Sequence, residues 1–110
     1  MVTAETAVVL PVLLVVLAGA VAAVVVVGAQ LRCVDAAREG ARAAARGEPA
    51  AVVTGLAADA GPAGARTELG GAADTVRVTV SATVSPLGPI PWHVEVSATA
   101  TGVREPGAGP

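Results

Sequence analysis

The chain has 110 residues, a net charge of −2, one Cys, one Trp and neither Phe nor Tyr. Its seven basic residues are all Arg, and its soluble part has no clustered basic face and no aromatic platform, which argues against nucleic acid as a partner. A single Cys excludes an internal disulfide, and an apolar content made mostly of Ala and Val buries little area per side chain.

Glu5 is the only charged side chain before Arg32. The 26 residues between them, Thr6 to Leu31, read TAVVLPVLLVVLAGAVAAVVVVGAQL and carry no charge. A spanning helix needs about 20 mostly apolar residues, so residues 1–31 are expected to form a transmembrane helix, with membrane lipid as the first partner. A carboxylate at the edge of such a run is costly unless it is paired, which makes Glu5 a functional position. A secretory signal is the competing reading, and Ala18-Gly19-Ala20 offers a small-residue cleavage site. No Lys or Arg precedes the run, however, and it continues through Val24–Val27, so the helix is read as retained.

Within the span, Pro11 removes the helix hydrogen bond to the Ala7 carbonyl and is expected to bend the helix. Gly19 with Ala23, and Ala18 with Ala22, form small-xxx-small pairs that let helices approach closely. Arg32, Arg38, Arg42 and Arg46 lie within about 20 residues of the span's C-terminal end, and by themselves they place the C-terminal part in the cytoplasm.

Residues 32–46, RCVDAAREGARAAAR, continue the helix, rich in Ala and Arg. Val34, Ala37, Ala41 and Ala44 make a narrow face of small residues suited to helix packing. Arg32, Asp35, Glu39, Arg42 and Arg46 make a charged face, with Asp35–Arg38 and Glu39–Arg42 at pairing distance along the helix. Cys33 reads as a small helix residue, the alternative being a bridge to another chain in an oxidising compartment. Gln30, Leu31 and Arg32 before it do not fit a lipid-attachment site. Gly47-Glu48-Pro49 stops the helix, which is expected over about 3–46. A short second helix follows to about Ala60, with Pro49 near its first turn, so 32–60 is a helical extension plus a short helix.

Residues 61–74 form a loop in which RTEL, 66–69, adds a possible short strand. Thr75–Val84 alternates strictly, with Val76, Val78, Val80, Ala82 and Val84 on one face. Trp92–Val103 alternates too, with Trp92, Val94, Val96, Ala98 and Ala100 opposed by His93, Glu95, Ser97, Thr99 and Thr101. The connector SPLGPIP holds three Pro and a Gly, so residues 75–104 are expected to form an antiparallel hairpin whose apolar face meets the Ala face of the long helix. The tail, 105–110, is expected to be disordered.

The residues offer no catalytic constellation. His93 is the only His, with no Cys or second His at ligand spacing, and Glu95 beside it makes a single pair on a strand. No phosphate-binding loop or nucleophile elbow is present, and the carboxylates Asp35 and Glu39, four residues apart, are interleaved with Arg. The expectation is a protein that is not an enzyme and uses neither cofactor nor metal.

Two stretches carry a resemblance. Val2-Thr3-Ala4-Glu5-Thr6-Ala7 with the apolar run behind it, and then Asp35-Ala36-Ala37-Arg38-Glu39-Gly40-Ala41-Arg42-Ala43-Ala44-Ala45-Arg46-Gly47, resemble the TadE-like minor pilins or pseudopilins of actinobacteria. The resemblance covers the N-terminal half firmly and the hairpin loosely. It implies a component of tight-adherence pilus machinery, related to type IV pilins. In such proteins a prepilin peptidase cuts after a glycine on the cytoplasmic side and leaves a glutamate in fifth place. Glu5 takes that place if Met1 is the first mature residue. The chain shows no leader and no Gly before Met1, so either its start lies further upstream or it is not cleaved. A leader with basic residues would put the N-terminus in the cytoplasm and the hairpin outside, opposite to the visible Arg distribution.

The expected fold is therefore α+β and pilin-like: a single-pass membrane protein with a long N-terminal helix, a short second helix and a small antiparallel sheet. The expected function is a non-catalytic minor pilin or pseudopilin subunit acting in pilus assembly. Glu5, Pro11 and Gly19 would serve subunit assembly. Val34, Ala37, Ala41 and Ala44 would serve helix packing. Its partners would be other pilin subunits, the assembly machinery and a prepilin peptidase, with the C-terminal part outside the cytoplasm on the membrane, pilus or cell surface. The alternatives are a membrane-anchored accessory subunit of an envelope or secretion complex that does not polymerise, and a regulator facing the cytoplasm.

Overall fold

The computed structural model describes residues 3–105. Two helices and three strands follow in chain order: α1 (Thr3–Ala45), α2 (Ala50–Ala60), β1 (Arg66–Gly70), β2 (Thr75–Val84) and β3 (Val94–Val103). The result is the expected α+β build, a long helix with a small three-stranded antiparallel sheet of order β1-β2-β3 against its C-terminal part. The tail expected to be disordered lies, from residue 106 onward, outside the described residues. Glu105 itself donates its backbone N–H to the Ala45 carbonyl at 3.0 Å.

α1 has 43 residues, and Pro11 sits inside it without ending it. At about 1.5 Å per residue it is roughly 65 Å long, and it dominates a molecule extending over 77 Å. It stops where the sequence turns to Gly47, whose φ of +83° lies in the left-handed region that ends helices. α2 begins after Pro49, whose carbonyl accepts from both Val52 and Val53. It runs back along α1 and buries Val53 and Ala57.

The sheet follows the alternation of its residues. Val76, Val78, Val80 and Ala82 of β2 are buried, as is Val96 of β3, while Val84, Val94, Ala98 and Ala100 pack partly buried against the same cluster. The opposite face is polar. Thr79 and Thr99, directly paired across the ladder, bring their hydroxyls to 3.0 Å. Arg66 and Glu95 bridge the sheet from edge to edge at 3.2 Å, with both side chains mostly exposed.

One strand residue departs from expectation. β3 starts at Val94, not Trp92, and Trp92 is 46% exposed rather than buried. The ladder explains this. Val84 pairs with Val94, so the next pair in register that could use Trp92 would set it against Pro86, which has no N–H to give.

Among the described residues, the largest fully buried side chains are Val53, Val78, Val80 and Cys33. Small side chains give little burial each, so the sheet needs the wall that α1 supplies. Contact is close enough to exclude a side chain at Gly40. A Cβ there would lie 2.9 Å from Val78 Cγ1 and 3.6 Å from both Ala57 and Val53, so this glycine sets the spacing of α1, α2 and β2.

β3 and α1 run in the same direction. Gln30 Nε2 donates to the Ser97 carbonyl at 2.7 Å, and Gly102 comes close to the Ala41 carbonyl further along. From Gln30 to Ala41 the helix advances about 16 Å, and from Ser97 to Gly102 the strand advances about the same. The two elements therefore stay in step over their whole contact.

Candidate functional site

The head covers only part of the long helix. Val26, Ala29, Cys33, Ala36, Ala37, Gly40, Ala41 and Ala43 lie in or against the core. N-terminal to them, each Val and Leu from Val8 to Leu17 is half or more exposed. Apolar side chains thus project on all sides of the first half of α1, which a helix in water does not sustain. One helix, with only 6% of its most apolar window buried, is long and apolar enough to cross a membrane. The uncharged stretch Thr6–Val25, exposed except at Ala18 and Ala22, is about 30 Å long, close to the thickness of a bilayer's hydrocarbon. The last residues of the apolar run, Val26 to Leu31, lie alongside the head, so the apolar run is longer than the stretch that lipid must cover.

Glu5 is exposed in the first turn of α1. An acid in a helix's first turn is favoured by the positive end of the helix dipole. Pro11, two turns on, is exposed as well. The two small-residue pairs of the span face different ways. Ala22 is 4% exposed and Ala18 half-buried, continuing the line of Val26, Ala29 and Cys33 toward the head. Gly19 and Ala23 are exposed, and a Cβ on Gly19 would meet nothing within 4 Å. The Gly19 face is thus open to a second helix.

Of the residues expected to pack the helix, Ala37 and Ala41 are buried and Ala44 packs against the core. Val34 is half-buried and outside the core cluster. The packing line is turned slightly from the expected one and runs through Cys33, Ala36, Gly40 and Ala43, which sequence reasoning left out. Their three- and four-residue spacing was visible, but two such lines coexist in an Ala-rich helix, and only the sheet chooses between them. On the other side, Glu39 and Arg42 approach to 3.9 Å.

Cys33 is fully buried, which favours the small helix residue over the alternative of a bridge to another chain. Its thiol is a small core group. A membrane-permeant thiol reagent is therefore expected to label it only after denaturation, checked by mass before and after unfolding. His93 and Glu95 do not come together as a pair. His93 Nδ1 lies 2.9 Å from Ser85 Oγ, and Glu95 is held by Arg66. Among the described residues, no three His, Cys, Asp or Glu side chains gather as metal ligands would.

The site is thus a surface: an exposed apolar half-helix, a lone acid in its first turn and an open glycine face. No curated protein and no solved structure matches the chain. A family model described as TadE-like protein matches residues 1–42, the segment that carries this surface. The match spans 42 of the chain's 110 residues, and over that segment the chain is similar to TadE-like proteins.

Proposed function

We propose that this protein is a non-catalytic minor pilin or pseudopilin subunit of a tight-adherence pilus. The observation that carries the reading is the TadE-like segment itself: Glu5 opens a half-helix that the protein's own head leaves uncovered. Such a half-helix can lie in lipid before assembly and against neighbouring helices afterwards. In the assembled state the Glu5 carboxylate pairs with, and accepts a hydrogen bond from, a neighbouring subunit's free N-terminal ammonium. Two charges that would each be costly near hydrocarbon then neutralise one another, and the pair fixes the axial step between subunits. The Gly19 face gives the close approach of helices that such a bundle needs.

In this reading the N-terminus faces the cytoplasm and the head is exported. The Arg residues after the span favour the opposite orientation, so topology is a direct test. An alkaline phosphatase reporter fused to the C-terminus is expected to be active in cells. An inactive reporter there, with an active cytoplasmic reporter at the same position, would instead support a regulator facing the cytoplasm.

A further inference from the structure

The end of the head that faces the apolar half of α1 has a chemical character of its own. β2 and β3 are joined there by Ser85–His93, and α2 and β1 by Gly61–Ala65. Both loops flank the helix where it leaves the head. Val24, Gly28 and Arg32 line a groove together with Pro62, Ala63 and Ser85. No Asp, Glu, Lys or Arg occurs between Arg77 and Glu95, nor between Asp59 and Arg66. The far end of the head is different: Arg46, Glu48, Asp74, Arg104 and Glu105 cluster there by sequence, and the ladder and the Glu105–Ala45 hydrogen bond place them.

The height of the connector follows from the parallel run of α1 and β3. Ser97 is level with Gln30. Val94, three residues earlier on the strand, lies about 10 Å lower, level with about Ala23 of the helix. Trp92 and Ile90 precede Val94 in the chain, in the connector that joins β2 to β3 at this end of the sheet. They are 46% and 53% exposed. The uncovered part of the span ends at about the same height. The connector meets the helix here through Ser85, which shares a groove with Val24 and Gly28.

The backbone of the connector is prepared for a place without water. A non-helical segment near hydrocarbon must satisfy its own N–H groups. Between Pro86 and Trp92, three residues are Pro and have no N–H. Gly88, Ile90 and Trp92 donate to Ser85, Leu87 and Ile90 carbonyls at 3.3, 3.4 and 2.7 Å. Only the Leu87 N–H is left over from this set. The His93 ring is held by Ser85, and the indole of Trp92 has the apolar body and single polar donor that suit the boundary between headgroups and acyl chains.

We infer that the Ser85–His93 connector is a second membrane contact, seating Ile90 and Trp92 in the lipid interface beside α1 and holding the head at a fixed height and tilt on the bilayer. The inference rests on the reading of α1 as the spanning helix, and it holds for either orientation.

The chain supplies its own probe, because Trp92 is its only Trp and it has no Tyr. The full chain is reconstituted in phosphatidylcholine–phosphatidylglycerol vesicles. Trp92 emission is expected to lie to the blue of that of the denatured chain. Lipids brominated near the ester end of the acyl chain are expected to quench it more than lipids brominated near the chain end, and iodide little. Ile90→Asp, at an exposed position, is expected to raise iodide quenching without changing the far-ultraviolet circular dichroism. Strong iodide quenching of the unaltered chain, while alkaline carbonate fails to extract it, would overturn the membrane contact and leave the span intact. Extraction by carbonate would overturn the span and the contact together. Protection that is lost as lipid is added at constant protein would show a second copy covering Trp92, and would also overturn the inference.

Discussion

Glu5→Ala is expected to abolish incorporation of this subunit into pili while leaving the protein in the membrane at normal abundance. The two halves of that result come from opposite effects of one carboxylate. For the isolated subunit, the acid is a cost at the edge of an apolar run, and Ala removes it. Insertion is then at least as favourable as before, and the head, whose core begins about Val26, is untouched. For the assembled subunit, the substitution leaves a neighbour's ammonium group unpaired among helices. Removing one member of a buried, hydrogen-bonded charge pair costs about 2–5 kcal/mol, which is roughly a 30- to 5,000-fold loss of affinity per contact. Glu5→Gln keeps the size and loses the charge, and it is expected to fail in the same way. The measurement is immunoblotting of sheared surface pili against the membrane fraction. Normal pili from cells carrying only the Ala variant would favour a membrane-anchored accessory subunit that does not polymerise.

Gly40→Leu is expected to unfold the head. Gly40 lies where α1, α2 and β2 meet, and even a Cβ would come within 2.9 Å of Val78 Cγ1. Val78 is fully buried, and Val53 and Ala57 close in on the same point at 3.6 Å. Overpacking of this kind costs about 1–3 kcal/mol for small additions, and Leu adds much more than a methyl group. The head has few large side chains to spare against such a loss. Gly40→Ala gives the intermediate case. Its gain in helix propensity, about 1 kcal/mol, opposes the overpacking, so a net loss of at most about 2 kcal/mol is expected. Gly55 of α2 is the control. A Cβ there meets nothing within 4 Å, so Gly55→Ala is expected to stabilise the head by about 0.5–1 kcal/mol. Denaturant unfolding of the chain in detergent micelles, followed by Trp92 fluorescence, ranks the three.

What was legible in the sequence is what depends on neighbours along the chain. The period-two alternation of Thr75–Val84 gave a strand with the expected buried face, and the uncharged run after Glu5 gave the helix. Gly47 and Pro49 marked the break between the helices. What was not legible depends on contacts far apart in sequence. Gly40 looks like one small residue in a charged, solvated stretch, and only the approach of Val78 makes it a spacer. Gln30 reads as the end of the apolar run, yet it ties the helix to Ser97. Val34 and Cys33 are neighbours in an Ala-rich helix, and the choice between them is made by the sheet. Trp92 continues the alternation in sequence, but the ladder ends at the Val84–Val94 pair, and one step further in register Trp92 would face Pro86. Glu5 is the reverse case. Its position was plain in the sequence, and its role rests on a partner outside this chain.

In the proposed assembly the exposed half of α1 packs against other subunits, and that packing depends on Glu5. Gly19 gives the most direct access to it, because its face is open. Cys33 is first replaced by Ala, so that Gly19→Cys supplies the only thiol. Oxidation of intact cells making this variant is expected to give disulfide-linked species joined to pilin subunits, and the same species are expected to vanish when Glu5→Ala is added. Cross-links that persist unchanged without Glu5, or that never form in piliated cells, would contradict this proposal.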